Sequence, residues 1–208
     1  MKTRKIAVID YGTGNLRSVV KAFELLEAKV SLVTKPSEIE DVDAVIFPGQ
    51  GSFDQCMSSL EHSGLRQSLK SWILEDRPFF GICLGLQVLF ESSEEGSLPG
   101  LGLFEGRAMR FCLDANYKIP HMGWNQVEWN LSSDHWLQQG LEDTDQFYFV
   151  HSYRVETNDS RVHCLTTDYG GPFTSGIISS NCLATQFHPE KSQAKGIQLY
   201  RNFLENIK

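Results

Sequence analysis

Apolar residues along the first hundred positions follow two alternating rhythms. The run KIAVID (5–10) is short, apolar and ends in a turn, and Leu16, Val19, Val20, Phe23 and Leu26 then recur at helical spacing. This predicts a strand followed by a helix. The runs VSLVT (30–34) and AVIF (44–47) repeat the buried-strand pattern, PGQGS (48–52) breaks the chain, and two amphipathic stretches extend to Asp76. PFFGIC (78–83) predicts another strand, and LGLQVLFESS (84–93) a helix after it. Strands alternating with helices imply parallel βαβ units in an open sheet. Beyond Gly100 the runs are short and β-rich, among them QFYFVHSYRV, VHCLTT, FTSGIIS and LATQF, separated by Gly, Asn and Asp turns, and they predict antiparallel pairing. Ile197, Tyr200, Phe203, Leu204 and Ile207 share one face of a closing helix. Without a linker or internal repeat, the change of rhythm predicts a mixed, mostly parallel sheet flanked by helices within one α/β domain spanning 1–208.

Composition narrows the possible partners. With 19 Lys and Arg against 26 Asp and Glu the net charge is −7, which argues against nucleic acid or an anionic membrane as the ligand. No apolar run approaches the ~20 residues of a membrane span or forms a signal peptide, so the expected location is the cytoplasm. Cys56, Cys83, Cys112, Cys164 and Cys182 form an odd set without CxxC spacing, which suits neither a disulfide framework nor a zinc site. No metal or cofactor is expected. Apart from Cys83, each cysteine reads as a small buried hydrophobe.

Cys83 differs because Gly81-Ile82-Cys83-Leu84-Gly85 has the form of a strand-to-helix elbow, in which glycines permit a sharp turn and the central side chain projects into a cleft. A helix N-terminus favours a thiolate there, and the Leu84 N–H would point where an oxyanion forms. The plainer alternative is a small residue at a crowded turn. A base changes the balance. His62, His135 and His163 read as surface or satisfied core residues, whereas His188 in LATQFHPEKS directly follows a buried-type strand, where open α/β sheets place their sites. It would take the Cys83 proton, and Glu190, carried on a turn stiffened by Pro189, would orient the imidazole.

GICLGLQ together with TQFHPEKS resembles the class I, triad-type glutamine amidotransferases, in strand order and over essentially the whole chain. The resemblance implies their flavodoxin-like α/β fold, with Cys83 as nucleophile on the amide of L-glutamine, His188 as base and then acid, and Glu190 as its orienting partner. It implies that Gly49, Gln50 and Gly51 in FPGQGSF form an oxyanion strand that supplies a backbone donor after a peptide flip. Many relatives carry valine where Gln50 stands, a change that a backbone donor tolerates. Gln87, Ser152 and Tyr153 would hold the substrate.

The stretch DYGTGNLRSV fits no nucleotide-binding loop, since Arg17 stands where a G-x-G-x-x-G pattern needs glycine. With PHMGWN (120–125) and HPEKS (188–192) it is similar instead to the glutaminase subunits of imidazole glycerol phosphate synthases in histidine biosynthesis. That resemblance implies a heterodimer with a (β/α)8-barrel cyclase, which would receive the ammonia. Asn15, His121, Met122, Trp124, Asn125, Tyr148 and Lys191 are the interface candidates it supplies. Two other readings stay open: a paralogous glutaminase aminating another metabolite, such as a surface-polysaccharide sugar precursor, and a non-catalytic regulatory module of the same fold.

Overall fold

The computed structural model describes residues 3–12, 16–132 and 134–207. Its first half follows the predicted alternation: β1 (Lys5–Ile9), α1 (Leu16–Leu25), β2 (Lys29–Val33), β3 (Ala44–Phe47), α2 (Phe53–Ser63), α3 (Leu65–Leu74), β4 (Phe79–Ile82) and α4 (Leu84–Gln87). β1 pairs in parallel with β2 and β3, and β3 with β4. β3 and β4 carry no polar side chain, and β1 only its exposed first residue Lys5, because both faces of a parallel sheet are covered. Ile6, Val8, Ile46 and Phe80 point to one face and pack against α1 and the last helix, whereas Ala7, Val45, Phe47 and Phe79 point to the other and pack against α2 and α3.

The second half adds β5 (Ser92–Ser93), β6 (Arg107–Arg110), β7 (His121–Gln126), β8 (Gln146–His151), β9 (Tyr153–Glu156), β10 (His163–Asp168), β11 (Pro172–Ser179) and β12 (Cys182–Thr185), closed by α5 (Gln193–Asn206). The main sheet runs β2-β1-β3-β4-β12-β11-β9-β6-β5, with β10 also on β11. β11 pairs antiparallel with β9, β10 and β12, and β6 with β9, as the rhythm predicted. The decisive pairing is β12 with β4, which is parallel and sets Thr185 opposite Ile82. It brings the segments after both strands, 105 positions apart in sequence, to one end of the sheet. β7 and β8 form a separate antiparallel ribbon, so the run QFYFVHSYRV divides at Ser152, its first part in the ribbon and its second in the main sheet.

Two expectations are corrected. The helix predicted over 84–93 ends at Gln87, because the carbonyls it would need are taken by a returning segment: Leu101 N–H donates to Val88 (2.7 Å), Leu103 to Leu89 (2.9 Å) and Gly102 to Phe90 (3.1 Å). Val88, Leu89 and Phe90 are buried all the same, so the apolar pattern that suggested a helix is satisfied without one. Cys112 is exposed rather than buried. It follows Phe111, whose ring fills the core beside Phe173, and alternation then turns Cys112 outward. Among the described residues no helix is long and apolar enough to cross a membrane.

Candidate active site

Cys83 leaves β4 with φ 53° and ψ −102°, a left-handed conformation that a non-glycine residue adopts only under constraint. Its N–H donates to the Thr185 carbonyl (2.6 Å), which pins the elbow to the neighbouring strand. Close packing explains the glycines: a Cβ on Gly85 would lie 2.3 Å from the Phe47 carbonyl oxygen, and one on Gly81 2.4 Å from that of Gly85. Gly85→Ala is accordingly expected to cost about 1–3 kcal/mol through overpacking. A thermal melt unchanged from wild type would contradict that packing. The following helix is a single turn, so its dipole is smaller than the sequence suggested, and the contribution that remains is its free N–H groups. Among the described residues no acceptor takes the Leu84 N–H.

His188 lies just past β12 and is only 2% exposed. Its N–H donates to the Tyr148 carbonyl (2.9 Å), its carbonyl accepts from the Ser192 hydroxyl (2.7 Å), and its Nδ1 meets Glu190 Oε1 at 2.7 Å. Glu190 Oε2 in turn accepts from the buried Tyr200 hydroxyl at 3.4 Å. Burial acts against an imidazolium here, but negative charge on Cys83 and then the Glu190 carboxylate outweigh it and raise the His188 pKa to about 10. Nε2 is buried and, among the described residues, has no partner in hydrogen-bond geometry. Cys83 is close enough to act on His188 through its charge and its hydrogen-bonding capacity, although the two are not in ideal hydrogen-bond alignment without substrate.

The loop after β3 packs on the elbow so closely that a Cβ on Gly49 would fall 2.4 Å from the Leu84 nitrogen. Its donor is engaged elsewhere. Gln50 N–H donates to the Tyr11 hydroxyl (3.0 Å), and that hydroxyl donates back to the Gln50 carbonyl (2.8 Å). Tyr11 is held by stacking on Phe47, with ring centroids 5.4 Å apart. In this state the Leu84 N–H is available beside Cys83 and the Gln50 N–H is not.

An open cleft of about 370 Å³ is lined by Cys83, Gln87, Ser152, Tyr153, His188 and Lys191, together with Gly49, Gln50 and Gly51. A larger groove of about 660 Å³, lined by Glu91, Arg107, Arg154 and Glu156, contains neither cysteine nor histidine, so the chemistry points to the smaller one. Gln87 already uses its amide nitrogen on the Tyr153 carbonyl (3.3 Å) and on Gln186 Oε1 (3.1 Å). Sequence reasoning passed over Tyr11, His151 and Gln186. All three lie inside stretches singled out for other residues, and only for His151 did strand alternation hint that the side chain points inward.

The interface candidates separate. Met122 and Trp124 are 61% and 44% exposed on the outer face of β7. Trp124 packs edge-on to Tyr148 (5.9 Å), and the Lys191 ammonium sits 5.9 Å from the same ring. His121 does not belong with them: it is 3% exposed, because alternation along β7 turns it inward to stack on Tyr169 and Phe149. Asn125 points the same way and donates to the Asp168 carbonyl (2.9 Å). Asn15 lies outside the described residues.

A thiol on a strained elbow, a buried imidazole–carboxylate pair and a glycine loop, all at the ends of adjacent parallel strands, define a hydrolase-type nucleophilic site. The sequence pattern of glutamine amidotransferase class-I matches residues 7–207, and the chain belongs to that family. It is 45% identical over 209 residues to the imidazole glycerol phosphate synthase subunit HisH of Nitrosomonas europaea, covering 96% of this chain and 97% of that protein. To the protein of the same name from Thermosynechococcus vestitus it is 46% identical, with both chains covered completely. Among solved structures it superposes on PurLQS from Thermotoga maritima with a TM-score of 0.78 at 18% identity, covering 99% of this chain and 100% of that one. It also superposes on a crystal structure of a glutamine amidotransferase with a TM-score of 0.73 at 22% identity, covering 96% and 97%. These structural likenesses bear on the fold.

Proposed function

We propose that the chain is the glutaminase subunit of an imidazole glycerol phosphate synthase, hydrolysing L-glutamine and passing the ammonia to a cyclase for histidine biosynthesis in the cytoplasm. The observation that carries this reading is the meeting of Cys83 and His188 in one cleft, with Glu190 on the far side of the imidazole, set in a chain that matches HisH proteins along its whole length.

Cys83 Sγ attacks the amide carbon of glutamine, and the Leu84 N–H supports the developing oxyanion, joined by the loop of Gly49, Gln50 and Gly51 once Gln50 leaves Tyr11. His188 Nε2, which holds the proton lost by the Cys83 thiol, gives it to the departing nitrogen; the C–N bond breaks, ammonia leaves, and the acyl group stays on Cys83 as a thioester. His188, now neutral, takes a proton from water, which attacks the thioester and releases glutamate. Glu190 holds the tautomer throughout, and Ser152, Tyr153 and the free oxygen of Gln87 position the amino-acid end.

The cyclase partner is a (β/α)8 barrel that docks as a heterodimer over Met122, Trp124, Tyr148 and Lys191. An aromatic pair beside a methionine and a cation suits such an interface. Because the Gln50 donor is engaged at rest, glutamate release by the isolated chain should be slow. Adding the cyclase with its ligand bound should raise it about tenfold or more, within the range of ordinary coupling energies. A coupled glutamate assay tests this, and an equally fast rate without partner would remove the subunit reading.

A further inference from the structure

Gln186 belongs to the TQFHPE stretch but has no part in the mechanism above. It is fully buried, and its Nε2 lies 3.4 Å from Cys83 Sγ. The direction of that bond follows from groups that have no choice of role. The Tyr153 carbonyl can only accept, and it does so from Gln87 Nε2 (3.3 Å) and His151 Nδ1 (2.7 Å). Gln87 therefore turns its nitrogen toward Gln186, Gln186 answers with Oε1 (3.1 Å), and its own nitrogen is left facing the sulfur.

The chain continues the other way. With Nδ1 donating to Tyr153, His151 must accept at Nε2, and it does so from His121 Nδ1 (3.1 Å). His121 Nε2 then faces Asn125 Nδ2 at 3.4 Å. Burial lowers the His121 pKa to about 4 and that of His151 to about 3, so near neutral pH both rings are uncharged and the pattern of donors stays fixed. A connected series of hydrogen bonds thus runs from β7, whose outer face carries Met122 and Trp124, to the nucleophile, with His151 and Gln87 meeting at the Tyr153 carbonyl.

We propose that Gln186 is a positioning residue for Cys83, holding its sulfur and favouring negative charge on it, with its orientation set from β7 through Gln87, the Tyr153 carbonyl, His151 and His121. The inference rests on Cys83 being the nucleophile of the proposed glutaminase. A partner pressing on β7 would act on the donor to the sulfur through this series.

The test is site-resolved alkylation of the isolated chain with iodoacetamide at pH 7, using exposed Cys112 as internal control. Gln186→Met removes the donor at similar length and should slow labelling of Cys83 about tenfold, the size of one hydrogen bond to a charged group, with Cys112 unchanged. His121→Phe keeps the ring stack but removes the donor to His151, and should slow Cys83 by less, in the same direction. Gln186→Glu keeps the shape and turns an acceptor toward the sulfur, and should be slower still. It serves if labelling of buried Cys56 shows the Met variant unfolded. A wild-type rate at Cys83 in either folded Gln186 variant overturns the assignment, and a wild-type rate in His121→Phe overturns the series beyond it. Failure of partner stimulation in the glutamate assay would remove the function while leaving the order of alkylation rates intact.

Discussion

Replacing Cys83 with alanine is expected to lower glutamine-dependent turnover by about 10⁴- to 10⁶-fold, the loss that follows removal of a triad nucleophile. Ammonium-driven turnover by the complex with the cyclase should be retained at a pH high enough to supply free ammonia. Alanine keeps the Cβ, so the elbow at φ 53° is no more strained than before, and the change deletes only the sulfur. Two local costs follow. Gln186 Nε2 loses its acceptor in a buried place, worth about 1–3 kcal/mol. His188 also loses the strongest of the influences that raise its pKa to about 10. A raised histidine pKa stabilises the fold below the unfolded value near 6.5 and loses that contribution as pH rises toward 10. Without Cys83 the imidazolium should therefore be lost at lower pH. Measuring glutamate and final product from glutamine and from ammonium in parallel separates these effects. Glutamine-dependent turnover within tenfold of wild type would sink the nucleophile assignment, and loss of the ammonium reaction as well would point to a misfolded subunit.

What the sequence made legible is local. β1, β3 and β4 announce themselves as apolar runs, the elbow as two glycines around a thiol, and the base as a histidine at the end of a buried strand. Each signal arises from residues that solve a nearby packing problem. The juxtaposition of Cys83 and His188 was not legible from periodicity, because it depends on β12 taking the place beside β4 in parallel register, a choice made by the sheet as a whole. Resemblance supplied it. Neither source foresaw that the Gln50 N–H is held by Tyr11, since a tyrosine after a strand has no pattern that assigns its hydroxyl. His121 was misplaced for a related reason: PHMGWN has the composition of an interface, but period two along β7 sends Met122 and Trp124 outward and His121 inward. Strand periodicity, applied to a segment treated only as a motif, would have made the division. The helix predicted after Cys83 failed in the reverse way, with the periodicity correct for burial and the hydrogen bonds given to a distant segment.

Glu190→Gln should lower glutamine-dependent turnover by about 10²- to 10⁴-fold and move the alkaline limb of its pH profile downward. The carboxylate meets His188 Nδ1 at 2.7 Å in a buried setting, so in the proposed mechanism it both fixes the tautomer that presents Nε2–H to the leaving nitrogen and helps to keep the ring protonated. Its replacement by an amide removes a negative charge without changing the volume, and with it one of the influences opposing the desolvation of the imidazolium. The sign is set by the chemistry. In the proposed mechanism ammonia departs only if His188 carries a proton, so the wild-type rate should hold as pH rises until the ring titrates near 10, and the variant should begin to fail at lower pH. Tyr200 cannot replace the lost charge: burial pushes its phenol well above the ordinary range, which leaves it a neutral donor to position 190. If the variant kept the wild-type alkaline limb while losing rate, Glu190 would be acting on geometry alone. If it kept both, the triad would reduce to Cys83 and His188.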